Sequence, residues 1–319
     1  MIVDLPGTTT SRISRALVEL REEGGAVALG RVLTLIIVAR PGDEEEAIEA
    51  ANDASREHPM RVIVLSRDEP QGEEERLDGQ IRVGGDAGAG EVIVLRVHGA
   101  PGDADEGLVT SLLLPDAPVV VWWTGEHPDD MGSSPLGRIA QRRIADSAAS
   151  ADPLASLTAV GLHYRPGDTD FAWTRLTLWR AQLAAALDQP PYEPVTAARV
   201  RGSVDSASTA LIASWLGSRL QLVVDVEMSL SLGSSGVHSV ELERPSGPIV
   251  LERVQEKVAE LRQPGQPVHE LALPRRHLRD CLAEELRHLD PDELFGEVVA
   301  PGAALYQANV VPLRQGGAA

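Results

Sequence analysis

The sequence predicts an α/β protein: an N-terminal, mostly parallel sheet flanked by helices, followed by a second, C-terminal α/β domain with a mixed sheet. Three observations predict this. The chain has 319 residues, more than the ~100–200 usual for one domain. Residues 32–38, Val-Leu-Thr-Leu-Ile-Ile-Val, are apolar on both faces and bounded by Gly30 and Pro41-Gly42, the pattern of a buried central strand. A helix and then another strand follow directly, the order of a right-handed parallel crossover.

Ser11 to Glu23 opens the chain as a helix, with Ile13, Leu17 and Leu20 at helical spacing and a stop at Gly24-Gly25. After the central strand, Asp43 caps a helix that carries Ala47, Ala50, Ala51 and Ala54. Glu44, Glu45 and Glu46 fill its first turn, where carboxylates complement the helix dipole, and it ends near His58-Pro59. Arg61 to Ser66 is the next strand. Beyond the acidic stretch 71–75, strands are expected at Gln80 to Val83 and Glu91 to Val97, separated by a glycine-rich loop, and again at Ala117 to Trp123. Leu136 to Ile144 reads as a short helix.

A shift to Ala, Ser and Asp between Asp146 and Pro153 places a domain boundary there. The division is an N-terminal α/β domain over 1–150, a connecting segment with a long helix over 151–195, and a C-terminal α/β domain over 196–319. In the connecting segment, Asp170 caps a helix whose Ala172, Leu176, Trp179, Leu183 and Ala186 fall on one continuous face, stopped by Gln189-Pro190-Pro191. The last domain begins with a helix from Ser206 to Leu216. Strands are expected around Leu220 to Ser229, Val237 to Leu242, Ile249 to Arg253, Val258 to Arg262 and Val268 to Leu273, and helices at Leu278 to Leu289 and Pro291 to Val299 close the domain.

Charge and cysteine content exclude several functions. With 29 Lys and Arg against 48 Asp and Glu, the formal charge is −19, which repels nucleic-acid phosphates and anionic lipid. No nucleic acid and no membrane partner is expected. Cys281 is the only cysteine, so an intramolecular disulfide, a cysteine zinc site and a CxxC redox pair are all impossible within the chain. The start lacks signal-peptide character, and the longest apolar run, 32–39, falls well short of the ~20 residues of a membrane span. A cytoplasmic protein is expected.

No segment meets the requirements of a catalytic motif. Gly84-Gly85-Asp86-Ala87-Gly88-Ala89-Gly90 has the glycine spacing of a phosphate loop, yet Glu91-Val92 stand where Lys and Ser or Thr belong, and a strand follows in place of a helix. A sugar phosphate or nucleotide, if bound in the N-terminal sheet by an enzyme or sensor, would be held by Arg82, Gly84, Gly85 and Gly88. None of the eight histidines forms HxxxH or HExxH, so no metal site is expected. Gly233-Ser234-Ser235-Gly236 has the wrong spacing for a nucleophile elbow. No catalytic residues and no cofactor are assigned.

Two aromatic segments remain. Strand alternation sends Trp122 and Trp123 to opposite faces, so one indole can enter the core while the other meets a cleft or a partner; burial of both is the competing reading. In Asp170 to Arg180, Trp179 lies on the apolar stripe, whereas Trp173, Arg175 and Arg180 are displaced from it. Trp and Arg carry interface energy more than other residues, so these three, with Trp122 and Trp123, are the candidate partner-binding residues. Packing within the chain is the alternative.

These segments also carry a resemblance. Residues 1–6 (Met-Ile-Val-Asp-Leu-Pro), 51–59 (Ala-Asn-Asp-Ala-Ser-Arg-Glu-His-Pro), 82–88, the Leu-Pro-Asp-Ala-Pro run leading to Trp122-Trp123, Asp170 to Arg180, and 286–292 resemble, in order, the OpcA family of glucose-6-phosphate dehydrogenase assembly proteins in its actinobacterial form. The resemblance implies a non-catalytic partner that binds the dehydrogenase, favours its active oligomer and raises its activity, and so tunes NADPH supply in the pentose phosphate pathway. It does not imply which residues touch the enzyme. Cyanobacterial members are linked to redox control through cysteines, a pattern from which this chain departs.

Overall fold

A computed structural model describes residues 1–23, 32–68, 75–84, 91–99, 105–229 and 236–308. In chain order the elements are β1 (Ile2–Leu5), α1 (Thr10–Glu23), β2 (Leu33–Ala39), α2 (Glu44–Ala54), β3 (Met60–Arg67), β4 (Arg76–Val83), β5 (Glu91–His98), α3 (Asp105–Thr110), β6 (Val119–Trp123), α4 (Pro135–Ile139), β7 (Arg142–Ala145), α5 (Pro153–Leu162), β8 (Asp168–Asp170), α6 (Phe171–Thr174) and α7 (Thr177–Leu187). There follow β9 (Ala197–Ser203), α8 (Ala207–Leu220), β10 (Val224–Ser229), β11 (Val237–Glu243), β12 (Ile249–Arg253), β13 (Val258–Arg262), β14 (His269–Ala272), α9 (Leu278–Arg287) and α10 (Glu293–Ala308). The chain passes repeatedly between two units. One comprises Met1–Asp146, Arg165–Phe171 and His277–Asp292; the other comprises Ser147–Tyr164, Ala172–Arg276 and Glu293–Ala319. Among the described residues, no helix is long and apolar enough to cross a membrane.

The first unit is built on an eight-stranded sheet of order β1-β4-β5-β3-β2-β6-β7-β8. All neighbours from β5 to β8 run parallel, and only β4 opposes its neighbours. The apolar run of 32–38 supplies β2 at its centre, with Ile36 opposite Ile63 of β3 and Val121 of β6. Burial on both faces follows from the two-residue period. Leu35, Ile37, Val62, Val64, Val94 and Trp122 turn one way and join the alanines of α2 and Cys281, Leu282 and Leu286 of α9 in one core. Small side chains on α2 suit close packing on the sheet. The odd-facing set, including Ile36, Ile63, Ile93, Val121 and Trp123, is buried on the opposite face. Ile13 of α1 packs so closely on Gly79 of β4 that an added Cβ there would lie 2.7 Å from its Cδ1.

Three expectations change here. The stretch 136–144 is not one helix: Ser134 caps the short α4 by accepting from the Gly137 N–H at 3.0 Å, and β7 then pairs with β6. The strand is disguised in sequence by two arginines whose heads are satisfied inside. Arg142 binds Glu285 and the Asp290 carbonyl, and Arg143 binds Asp168 and the carbonyls of Ala140 and Pro166. The helix 278–287 belongs to the first unit and not to a C-terminal domain, because its apolar stripe covers α2. The expected long helix from Asp170 is broken into β8, α6 and α7. The Thr174 carbonyl accepts from Thr177 Oγ1 at 3.0 Å and Arg276 Nη1 at 2.9 Å, side-chain bonds that compete with the helical ladder.

The second unit holds a six-stranded mixed sheet, β10-β9-β11-β12-β13-β14. β9 and β10 are parallel and joined by α8, and the other pairs are antiparallel. Residues along β9 alternate between exposed and buried, so one face is solvated. Ser206 caps α8 by accepting from the Thr209 N–H at 3.1 Å. Tyr164, just beyond α5, packs its ring edge-on against Phe295 of α10, with centroids 6.0 Å apart.

Candidate interaction surface

The aromatic candidates lie inside their units. Trp122 is fully buried, its ring 5.3 Å from that of Phe171 and tilted by 56°. Trp123 is only 4% exposed on the opposite face of the same sheet. Strand alternation separates the two indoles as expected, but helices cover both faces, so neither indole is at the surface. Trp173 is 1% exposed and lies 5.9 Å from Phe295, with the Arg180 guanidinium stacked 3.6 Å above its ring. Arg175 and Arg180 are half-buried. Arg180 and Trp173 are brought together as a cation–π pair, and the Trp122/Trp123 pair belongs to the other unit.

Arg82 is engaged by its own chain. It grips Glu45 of α2 through both Nη atoms, one bond at 2.8 Å, and donates from Nε to Gln80 at 2.7 Å. The Arg82 hydrogen bond holds the Glu45 carboxyl below its ordinary pKa. Gly84 has a left-handed φ of +81° with open space around it. Gly85 and Gly88 lie outside the described residues.

Ligands of open parallel sheets gather where strand order reverses, outside the carboxyl ends of the strands. In the first unit that point lies between β2 and β6. The protein's own groups occupy it: Arg40 lies against Gly125 and pairs with Glu126 at 3.1 Å, and Glu44 accepts from the Gly42 N–H at 2.7 Å. Three glutamates in the first turn of α2 further oppose a phosphate. The buried pairs Arg61–Glu91, Arg142–Glu285 and Arg143–Asp168 are internal staples, each arginine held by a carboxylate of its own unit. Among the described residues, no three His, Cys, Asp or Glu side chains are placed to hold a metal ion.

The solvated face of the second sheet is different in character. Register sets Glu227, Arg201, Ser239, Glu252, Glu260 and Glu270 side by side in one row across all six strands. The adjoining row contains Asp225, Arg199 and Glu241. Arg199 pairs with Asp225 at 3.0 Å and Arg201 with Glu227 at 2.9 Å, while Arg262 bridges Glu252 and Glu260. Like charges directly opposite on adjacent strands destabilise a sheet, yet three glutamates stand together on β12 to β14 with one bridging arginine. A partly exposed acidic row of this kind suits a basic protein surface. Its signal in the sequence is the alternation of charges in Arg199-Val200-Arg201, Asp225-Val226-Glu227 and Glu260-Leu261-Arg262, which sequence reasoning did not pick out.

Comparison with known proteins adds the following. Residues 51–161 match the family model of the glucose-6-phosphate dehydrogenase subunit N-terminal domain, and residues 166–299 match that of the subunit's C-terminal domain. A protein of Synechocystis sp. described as an OxPP cycle protein OpcA is 28% identical over 148 residues. That match covers 44% of this chain and 31% of the relative, so the aligned part spans about a third of the relative's own length. Among solved structures, a glucose-6-phosphate 1-dehydrogenase from Mycobacterium avium aligns at 12% identity and TM-score 0.39, covering 85% of this chain and 92% of that one. An oxidoreductase from Sinorhizobium meliloti aligns at 11% identity and TM-score 0.42, covering 88% and 90%. At those scores the two structures carry no argument about fold or function.

Proposed function

The chain belongs to the OpcA family of glucose-6-phosphate dehydrogenase assembly proteins, and from that membership we propose that it is a non-catalytic partner that binds the dehydrogenase and stabilises its active oligomer. The observation that carries the proposal is the match of both family domains, in order, over most of the chain. A partner activates an enzyme only if it binds the active conformation or assembly more tightly than the inactive one. The gain in active dehydrogenase then raises NADPH production in the oxidative pentose phosphate pathway.

The contact is with macromolecular surface. The buried tryptophans Trp122, Trp123 and Trp173 act in this reading by fixing the scaffold, and Arg175 and Arg180, which keep part of their surface, remain the sequence-picked residues able to meet the enzyme. The acidic row on the second sheet is the surface best suited to a basic patch on it. A small-molecule sensor built around Arg82 is less well supported, because Glu45 and Gln80 already use its guanidinium.

Size-exclusion chromatography with light scattering on the two purified proteins tests the proposal. A co-eluting complex is expected, with slower association after Glu252→Lys and Glu260→Lys, because surface charge acts chiefly on the encounter rate. Separate elution at micromolar concentrations of both would count against the partnership.

A further inference from the structure

Among the described residues, Tyr192 is the one aromatic side chain that stands exposed, at 79%. Large aromatic rings are mostly buried or half-buried, as Trp215 and Tyr164 of the same unit are. Tyr192 sits between α7 and β9, in Gln189-Pro190-Pro191-Tyr192-Glu193-Pro194, and the backbone on both sides of it is held in place. Nη1 of the buried Arg244 donates to the Pro191 carbonyl at 3.2 Å, and the Ser246 N–H donates to the Glu193 carboxylate at 2.9 Å. Hydrogen bonds from the Ser246 side chain and then from its N–H hold the Glu193 carboxyl below its ordinary pKa. At neutral pH the acceptor is therefore ionised and the bond charge-assisted. The Thr196 N–H ties the far end of the segment to the Glu243 carbonyl at 2.8 Å.

The segment leans on the turn between β11 and β12, which closes through the Gly247 N–H and the Arg244 carbonyl at 2.9 Å. Gly247 has a left-handed φ of +116°, and a Cβ on it would stand 3.0 Å from Cγ of Pro264, in the turn after β13. Three turns thus meet at one end of the second sheet, where Pro190, Pro191, Pro194, Pro245 and Pro248 are exposed beside Tyr192. Proline fixes φ and has almost no side-chain freedom to lose, so contact costs such a patch little entropy. The same end opens onto the solvated face of the sheet: Ala197 lies opposite Glu243, and Arg199 lies between Glu241 and Asp225. With Glu252, Glu260 and Glu270 farther across, carboxylates outnumber arginines on that face. A second copy of the chain would bring two acidic faces together around the ring, and like charges across an interface oppose binding. An apolar centre inside a polar rim is the anatomy of a protein interface, and the sign of this rim calls for a basic one opposite.

We propose that Tyr192 is the anchor through which the second unit docks on the dehydrogenase, its ring entering an apolar pocket rimmed by basic side chains while the proline-rich turns around it exclude water. The inference rests on the partnership proposed above and adds to it the point of attachment and the chemistry of the surface that receives it. A tyrosine brings a large apolar area with few rotamers to freeze and a hydroxyl for a polar group at the pocket floor. Buried aromatic anchors of this kind carry most of the energy of an interface, while the acidic rim acts on encounter and orientation.

The experiment measures the dissociation constant of the full chain for purified dehydrogenase by calorimetry, for the wild type and for Tyr192→Ser, Tyr192→Phe and Leu162→Ser. Tyr192→Ser should weaken binding by about 30-fold or more with an unchanged thermal unfolding midpoint, because the ring is exposed in the free chain. Tyr192→Phe keeps the apolar body and should bind within a few-fold of the wild type. Leu162→Ser removes another exposed apolar side chain of the same unit, 68% exposed at the end of α5, and should bind as the wild type does. A folded Tyr192→Ser variant with wild-type affinity, or an equal loss in Leu162→Ser, overturns the anchor and leaves the partnership standing. No binding by the wild type overturns the partnership and the anchor with it. Sedimentation of the chain alone supplies the remaining outcome: a dimer that Tyr192→Ser abolishes would make a second copy the occupant and would also overturn the proposal.

Discussion

Replacing Trp173 by alanine separates an interior tryptophan from an interface anchor. The indole is 1% exposed, stacked under Arg180 at 3.6 Å and 5.9 Å from the Phe295 ring. Truncating a buried Trp removes its transfer free energy and leaves a cavity, which together cost ~3–5 kcal/mol. Loss of the stacked guanidinium adds about 0.5–2 kcal/mol. Against a total stability of ~5–15 kcal/mol, that is a large fraction. Each kcal/mol moves the midpoint by roughly 2–4 °C in a unit of this size, so a fall of roughly 6–20 °C follows for the cavity alone. Thermal and urea unfolding followed by circular dichroism measure it, and Trp173→Phe should lose much less. An unchanged midpoint together with lost binding to the dehydrogenase would refute the interior assignment and restore Trp173 as a contact residue.

Further outcomes follow from other parts of the structure. Arg142→Met removes the arginine that pairs with the buried Glu285 and should cost ~3–5 kcal/mol, whereas the double variant Arg142→Met/Glu285→Leu should recover most of that loss in urea unfolding. Gly202→Ala would set a Cβ 2.0 Å from Thr209 Oγ1 and 2.7 Å from its Cγ2; overpacking between β9 and α8 should cost at least about 1–3 kcal/mol in the same assay. Glu45 has a folded-state pKa below its ordinary 4.5, so its contribution to stability is present above that value and fades as pH falls through the folded pKa. Arg82→Gln should return the Glu45 carboxyl toward 4.5 in a carbon NMR titration and remove that acid-side slope.

Much of the central architecture can be read from residue patterns, because there the local and global signals agree. β2 is marked by a largely apolar run rich in β-branched residues, α2 by its alanines and leading glutamates, and α8 by the Ser206 cap. Other parts are hidden for identifiable reasons. Arg142-Arg143 makes β7 look unlike a buried strand, since its ion partners Glu285 and Asp168 lie far away in sequence. The amphipathic stripe of 278–287 shows that a helix forms but not which unit it covers. Strand alternation correctly sends Trp122 and Trp123 to opposite faces, but it cannot show that helices close both. The acidic row across the second sheet exists only once register aligns Glu252, Glu260 and Glu270 from three strands.

The most direct test is to add the purified chain in increasing amounts to purified dehydrogenase, recording turnover and molecular mass on the same samples. A rise in rate that saturates at a fixed ratio, in step with growth of a mixed assembly, is the predicted result. Full dehydrogenase activity and unaltered mass at every ratio, or turnover of the dehydrogenase substrates by the chain on its own, would contradict it.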